Sequence, residues 1–336
     1  MNLNRITATD IQSQPYVAAE PLRPIPRAEM VWIVLEALFD LIVCYFRCIP
    51  LWIRLVLDTF HPPAPKTISG QNALITGGAN GIGRAIATEL AKEGCNVIIV
   101  DEDQVNAEKT AAELKAFNVD AFSYKCDVAD YEQVKELRGQ VETDVGSVDI
   151  LINNAGILSF LLPNENNPSM IQRMMEVNAL AGFWTVEQFL PGMTRQRRGH
   201  IVAIASASSY FPVGWMKNYV TTKYAVRGYM EALDEELYLA GQSDYVKTTT
   251  VFPFVVNTRK QVMDAINRKR GLSKMPKYSP EETAATVLKA IKNNQRKVVV
   301  PDRLKAWQLS FYEHIPIEIR RKLDLAVMKE KPIVLD

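Results

Sequence analysis

Tyr219 and Lys223 stand four residues apart in MKNYVTTKYA, residues 216–225. On a helix that spacing sets the phenol and the ammonium on one face. The chemistry on offer is proton removal. A free tyrosine, with a pKa of about 10, is a poor base near neutral pH; moving it to about 7 takes about 4 kcal/mol of preferential phenolate stabilisation. A cation on the same face supplies part of that. Alone, the pair is equally an ordinary surface pair, and its surroundings decide. Histidine offers little competition, since only His61, His200 and His314 occur. His200, in RRGHIVAIA at the start of a strand-like run, reads as structural.

The 336 residues are 48% hydrophobic with a net charge of +1, enough to fill a core and without a global pull toward nucleic acid. Cys44, Cys48, Cys95 and Cys126 form no CxxC pair and have no histidine cluster beside them. Neither a disulfide framework nor a metal site is expected.

The elements that must carry the pair follow from the pattern. Residues 1–29 are polar and proline-dotted and read as a mobile tail, 30–60 as an apolar segment and 61–70 as a proline-rich linker. From residue 71 to 301, seven β-branched runs alternate with helical stretches: NALIT, NVIIVD, AFSYKCD, DILINNAG, HIVAIAS, TTTVFPF and KVVVP. This pattern predicts an α/β domain built on a doubly wound parallel sheet of about seven strands. Residues 302–336 form a helical extension.

The first run leads into TGGANGIGR, where Gly77, Gly81 and Gly83 lie at a strand-to-helix turn. Bare α-carbons let a backbone approach a phosphate, and the helix start offers free N–H groups. The second run ends in Asp101, placed to accept from ribose hydroxyls and to repel a 2′-phosphate. No basic residue stands at Ala79 or Asn80 to offset Asp101, Glu102 and Asp103. A dinucleotide site is expected, with NAD favoured over NADP.

The spacing TGxxxGxG, Asp127–Val128, NNAG at 153–156 and YxxxK resemble the short-chain dehydrogenase/reductase family over roughly residues 70 to 300. The resemblance implies a Rossmann-type fold and a catalytic set of Asn178, Ser206, Tyr219 and Lys223. Tyr219 would be the base, Lys223 its tuner and the holder of the nicotinamide ribose, Ser206 the residue orienting the substrate oxygen, and Asn178 the holder of a relay water. Cofactor contacts are implied at Thr76, Gly77, Asn80, Gly81, Ile82, Gly83, Asp101, Asp127, Val128, Asn154, Ala155, Gly156, Tyr219, Lys223, Pro253, Val256 and Thr258. Phe254 replaces the glycine of the family's usual PG turn and is similar to the variant in its membrane-associated epidermal retinol and 17-beta-hydroxysteroid dehydrogenases. A hydrophobic alcohol such as a retinoid, steroid or fatty alcohol is the expected substrate, and a homodimer the expected assembly. An NADPH-dependent carbonyl reductase and an idle membrane or lipid-droplet scaffold are the alternatives.

Three segments point to a membrane. Between Arg259 and Lys277, seven basic residues oppose only Asp264, as a solvated loop and helix would also show; the family resemblance implies a lid over the substrate pocket here, which with Val262, Met263 and Ile266 would rest on anionic lipid. Leu304, Trp307, Phe311 and Ile315 at helical spacing, followed by Arg320, Arg321 and Lys322, suggest a helix that closes the pocket and touches the surface. In residues 30–57, Glu36 and Asp40 interrupt the apolar run, and Glu29, Glu36, Asp40, Arg47, Arg54 and Asp58 fall along one helical line, with Pro50 expected to kink the helix. An N-terminal membrane-anchoring helix lying in the interface is expected, at the endoplasmic reticulum or a lipid droplet, with the catalytic domain cytosolic.

Overall fold

The computed structural model describes residues 26–61, 63–158, 167–211, 213, 216–258, 260–268, 273, 275–302 and 306–328. The chain divides into two units, Met1–Pro63 and Ala64–Asp336.

In the first, α1 (Arg27–Phe60) runs as one helix through Pro50. Its large apolar residues, among them Trp32, Phe39, Phe46 and Trp52, are exposed. Among the described residues, no helix is long and apolar enough to cross a membrane. Glu29, Glu36, Asp40, Arg47 and Arg54 are exposed as well; the side chain of Asp58 lies outside the described residues.

The second unit begins before the expected end of the linker. Lys66 N donates to Lys292 O at 2.8 Å, and Ile68 is buried in the core. Seven runs form strands: β1 (Asn72–Thr76), β2 (Asn96–Asp101), β3 (Ala121–Lys125), β4 (Ile150–Asn153), β5 (Gly199–Ile204), β6 (Val246–Pro253) and β9 (Lys297–Val300). They pair in parallel in the order β3-β2-β1-β4-β5-β6-β9. The order reverses direction between β1 and β4, and that switch point is where a cleft opens in such sheets.

Helices cover both faces. On one, α2 (Gly81–Lys92), α3 (Gln104–Leu114) and α9 (Pro280–Lys292) supply core residues such as Ile86, Leu90, Leu114 and Val287. On the other, α4 (Tyr131–Asp144), α6 (Ala181–Arg195) and α7 (Lys217–Leu239) supply Leu137, Phe189 and Leu233. The strands are apolar on both sides because both sides are covered. Helix α5 (Pro168–Met175) passes into α6 through a wider turn, Glu176–Leu180. The short pair β7 (Val255–Val256) and β8 (Lys277–Tyr278), not apparent in the sequence pattern, brackets α8 (Lys260–Arg268). Helices α10 (Ala306–Glu313) and α11 (Ile317–Met328) follow β9.

His200 is buried on β5 with one ring nitrogen 2.7 Å from Lys66 Nζ and the other 2.8 Å from Thr249 Oγ1. Burial holds it neutral, well below its ordinary pKa. It ties the start of the unit to the sheet.

Candidate active site

The chain leaves β1 through Gly77 (φ +63°) and Gly81 (φ +57°), a backbone that side chains resist. A Cβ on Gly83 would lie 2.1 Å from the Gly77 carbonyl oxygen, so the turn closes only around bare α-carbons. Asn154, at the end of β4, braces it by donating to Thr76 O (3.0 Å) and Gly77 O (2.9 Å). The Thr76 hydroxyl answers by accepting from Asn154 N and Ala155 N, each at 3.1 Å. Asn80 leaves the start of α2 without a side-chain cap, and Asn80, Gly81 and Ile82 line the cleft. Those first-turn amides and the dipole end suit a phosphate. The Asp101 carboxylate accepts from Ala79 N at 3.0 Å and Asp103 N at 3.1 Å, which fixes it beside the loop. The cleft measures about 1120 Å³ and runs from Asp101 to Tyr219. Its cradle, acid and length fit a dinucleotide with room for a second ligand.

At the other end, β5 delivers Ser206 and α7 delivers Tyr219 and Lys223. Ser206 is hydrogen-bonded to the Tyr219 phenol. Its oxygen also accepts from Ser208 N (3.2 Å) and Ser208 Oγ (3.0 Å), which holds the hydroxyl in place. Lys223 is buried and donates to Ile204 O at 2.8 Å, with its Nζ 5.7 Å from the centre of the Tyr219 ring.

Burial dominates both members of the pair. Burial pushes Tyr219 up to about 12 against the pull of Ser206, and burial brings Lys223 down to about 8. The lysine is aimed at a backbone carbonyl, and desolvation outweighs its attraction for a phenolate.

The Asn178 side chain fastens two segments. Its Oδ1 accepts from Ile157 N at 2.7 Å; its Nδ2 donates to Ile157 O at 2.8 Å and to Thr222 Oγ1 at 3.1 Å. The Thr222 hydroxyl in turn donates to Tyr219 O at 2.7 Å. Both amide donors are engaged, and the segment after β4 is thereby fixed to the turn that carries Tyr219.

Beyond the catalytic set the cleft turns apolar, lined by Leu158, Phe211, Val213, Met216, Phe254 and Met275. Phe211 and Phe254 lie with ring centres 5.4 Å apart, and Tyr312 of α10 meets Phe211 edge-on at 6.0 Å. Arg227 of α7 grips Glu313 with both arms, at 2.8 and 3.0 Å, while stacking on Tyr210 at 3.9 Å. The C-terminal helix α10 therefore packs on Phe211, one of the residues that line the cleft. Leu309 is buried, whereas Trp307 and Phe311 of the expected stripe are exposed. Leu304 lies outside the described residues.

The basic segment also differs from expectation. Met263 and Ile266 of α8 are buried, and Ile266 lines the cleft, so the apolar side of this helix serves the pocket. Lys260 and Lys277 are exposed; Arg259, Lys269, Arg270 and Lys274 lie outside the described residues, as do the side chains of Val262 and Arg268.

Of the residues anticipated for cofactor and catalysis, Gly77, Asn80, Gly81, Ile82, Asp101, Asp127, Val128, Asn154, Ala155, Gly156, Ser206, Tyr219, Lys223, Pro253, Val256 and Thr258 line one cleft. Thr76, Gly83 and Asn178 stand behind its wall. Arg173 of α5 lines it too and was not anticipated; it lies 46 residues from Asp127, in sequence resembling any helix surface. Phe211, Val213 and Met216 likewise carry no motif.

The short chain dehydrogenase profile matches residues 71–269. Estradiol 17-beta-dehydrogenase 11 of Macaca fascicularis is 32% identical over 264 residues, 79% of this chain and 83% of that protein. Retinol dehydrogenase 10-B of Danio rerio is 31% identical, covering 78% of this chain and 83% of that one. Among solved structures, an alcohol dehydrogenase of Thermococcus sibiricus complexed with 5-hydroxy-NADP aligns with TM-score 0.59 and 28% identity over 69% of this chain and 96% of that one. A short-chain dehydrogenase/reductase of Burkholderia phymatum in complex with NAD shares the fold, with TM-score 0.67 and 23% identity over 80% and 100%.

Proposed function

The chain belongs to the short-chain dehydrogenase family and is an NAD(P)-dependent oxidoreductase; from that premise we propose that it oxidises a hydrophobic alcohol, with NAD as acceptor and Tyr219 as general base. The observation that carries the substrate class is the apolar chamber of Phe211, Val213, Met216, Phe254 and Met275, which is continuous with Ser206 and Tyr219. The Asp101 carboxylate beside the glycine turn supports NAD. The curated relatives named for estradiol and retinol support a lipid alcohol of that size.

When bound, the oxidised nicotinamide supplies the hydride acceptor and a positive charge. Ser206 orients the alcohol oxygen, and Tyr219 takes its hydroxyl proton. To do so near neutral pH the phenol must come down from about 12, where burial holds it. Lys223, released from the Ile204 carbonyl, is the residue placed to contribute and to hold the ribose. Asn178 and Thr222 keep the tyrosine's turn in register.

The exposed apolar surface of α1, with its charges along one line, supports a helix lying in the interface of the endoplasmic reticulum or a lipid droplet. The catalytic unit would be cytosolic, and lipid substrate would reach the chamber past α8.

A panel of retinol, hydroxysteroids and long-chain alcohols, assayed with NAD and NADP by cofactor fluorescence, tests the activity. Turnover confined to short polar alcohols would remove the substrate reading, and a clear preference for NADPH-driven reduction would remove the NAD assignment. Deletion of residues 30–57 is expected to release soluble protein, and a glycosylation tag in the N-terminal tail to stay unmodified; a glycosylated tail would exclude the interfacial helix.

A further inference from the structure

The adenosine end of the cleft concentrates acid: Asp101, Glu102, Asp103 and Asp127 all line it. Into this group α5 sends one cation. Arg173 Nη1 donates to Asp127 Oδ2 at 2.8 Å and Nη2 to Asp127 Oδ1 at 3.0 Å, and Nη2 also bonds the Glu102 carboxylate. Glu102 immediately follows the acid at the end of β2, and Asp127 follows β3, so one guanidinium spans the tips of two adjacent strands. Burial and Asp127 push Glu102 upward against the pull of Arg173, as crowded carboxylates require. The pairing is partly exposed, and its worth to stability is small. Its worth to a charged ligand is different, because the cation reduces a negative field that acts on every phosphate placed there.

We propose that Arg173 sets how strongly this site discriminates between the two dinucleotides, by neutralising Glu102 and Asp127 beside Asp101 and so tolerating a 2′-phosphate that Asp101 alone would exclude. The inference rests on the dinucleotide reading of the cleft. Its sign is fixed by charge. Removing Arg173 leaves the acids unopposed, which weakens a ligand carrying the extra phosphate more than one carrying a hydroxyl. The residue touches the adenosine end alone and takes no part in proton transfer.

The test is direct titration of NAD and NADP into the full-length protein, followed by tryptophan fluorescence, for wild type, Arg173→Met, Arg173→Gln and Arg173→Lys. The ratio of the NADP to the NAD dissociation constant is expected to rise about tenfold in the Met and Gln variants, equivalent to about 1.4 kcal/mol. Arg173→Lys should restore most of it, and the rise should shrink in high salt. NAD binding itself should weaken no more than about threefold. Thermal melting of the unliganded variants checks folding, and either neutral variant alone suffices. An unchanged ratio in a folded neutral variant would overturn the proposal. So would an equal shift from Lys135→Met, an exposed lysine paired with Glu132 outside the cleft, since that would mean a general surface-charge effect. Failure of wild type to bind either dinucleotide would instead defeat the cofactor reading. A wild-type preference for NADP would defeat only the choice of NAD, with the shift in ratio still scored.

Discussion

The two ends of the cleft are built in opposite ways. The adenosine end is polar and made from strand tips and the turns that leave them: Gly77 to Gly83, Asp101, Asp127 and Asn154, tied by hydrogen bonds of about 3 Å. The far end is aromatic and drawn from distant segments, Phe211 after β5, Phe254 after β6 and Tyr312 in α10, held by ring packing and one ion pair. The first requires particular residues because a phosphate cradle tolerates no extra atoms. The second requires only shape and apolarity, which many residues supply. Recognition of the shared cofactor is therefore rigid, and recognition of the substrate is free to vary.

The largest expected effect falls where the two ends meet. Tyr219→Phe removes the proposed proton acceptor and is expected to lower kcat by about 10³-fold with NAD affinity within threefold of wild type, measured by steady-state kinetics and fluorescence titration. Turnover near the wild-type rate would remove Tyr219 from the mechanism.

Gly83→Ala breaks the polar end. With 2.1 Å to a backbone oxygen the turn must shift, and NAD affinity should fall about 100-fold with a lower melting temperature. The aromatic end should respond differently to a larger change. Phe254→Ala is expected to raise KM for a long-chain alcohol about tenfold while leaving NAD affinity unchanged. If it weakened NAD as severely as Gly83→Ala, the separation of the two ends would fail.

The smallest effect is a pH dependence. Burial holds Lys223 at about 8, so it carries its charge below that pH and loses it above. NAD, which spans the cleft, should bind about threefold more weakly at pH 9.5 than at pH 7, by calorimetry. AMP, confined to the adenosine end, should show no such loss over the same range; a parallel loss would place the titrating group elsewhere.

The same contrast explains what the sequence disclosed. All seven strands of the main sheet were legible, because burial on both faces writes each as an apolar run. The glycine turn, Asp101 and the Tyr219–Lys223 pair were legible because each needs a residue type at a fixed spacing. Arg173 was not, since an arginine on a helix surface acquires meaning only from partners 46 and 71 residues away. The burial that dominates Tyr219 and Lys223 was not legible, because spacing reveals a neighbouring cation but not the depth at which both groups sit. The face by which α10 packs was not legible: Trp307 and Phe311 share a face that the domain does not cover, while Leu309 and Tyr312 share the one it does.

Helix α7 carries three groups along one row: Tyr219 and Lys223, proposed above for the proton and the ribose, and Arg227, which grips Glu313. They recur every fourth residue. One residue inserted between Lys223 and Arg227 would swing the later position by about 100° around the helix, detaching the C-terminal wall while leaving the base where it was. Length in this stretch is therefore as constrained as composition, and a variant with conservative substitutions there would survive where a single insertion would not.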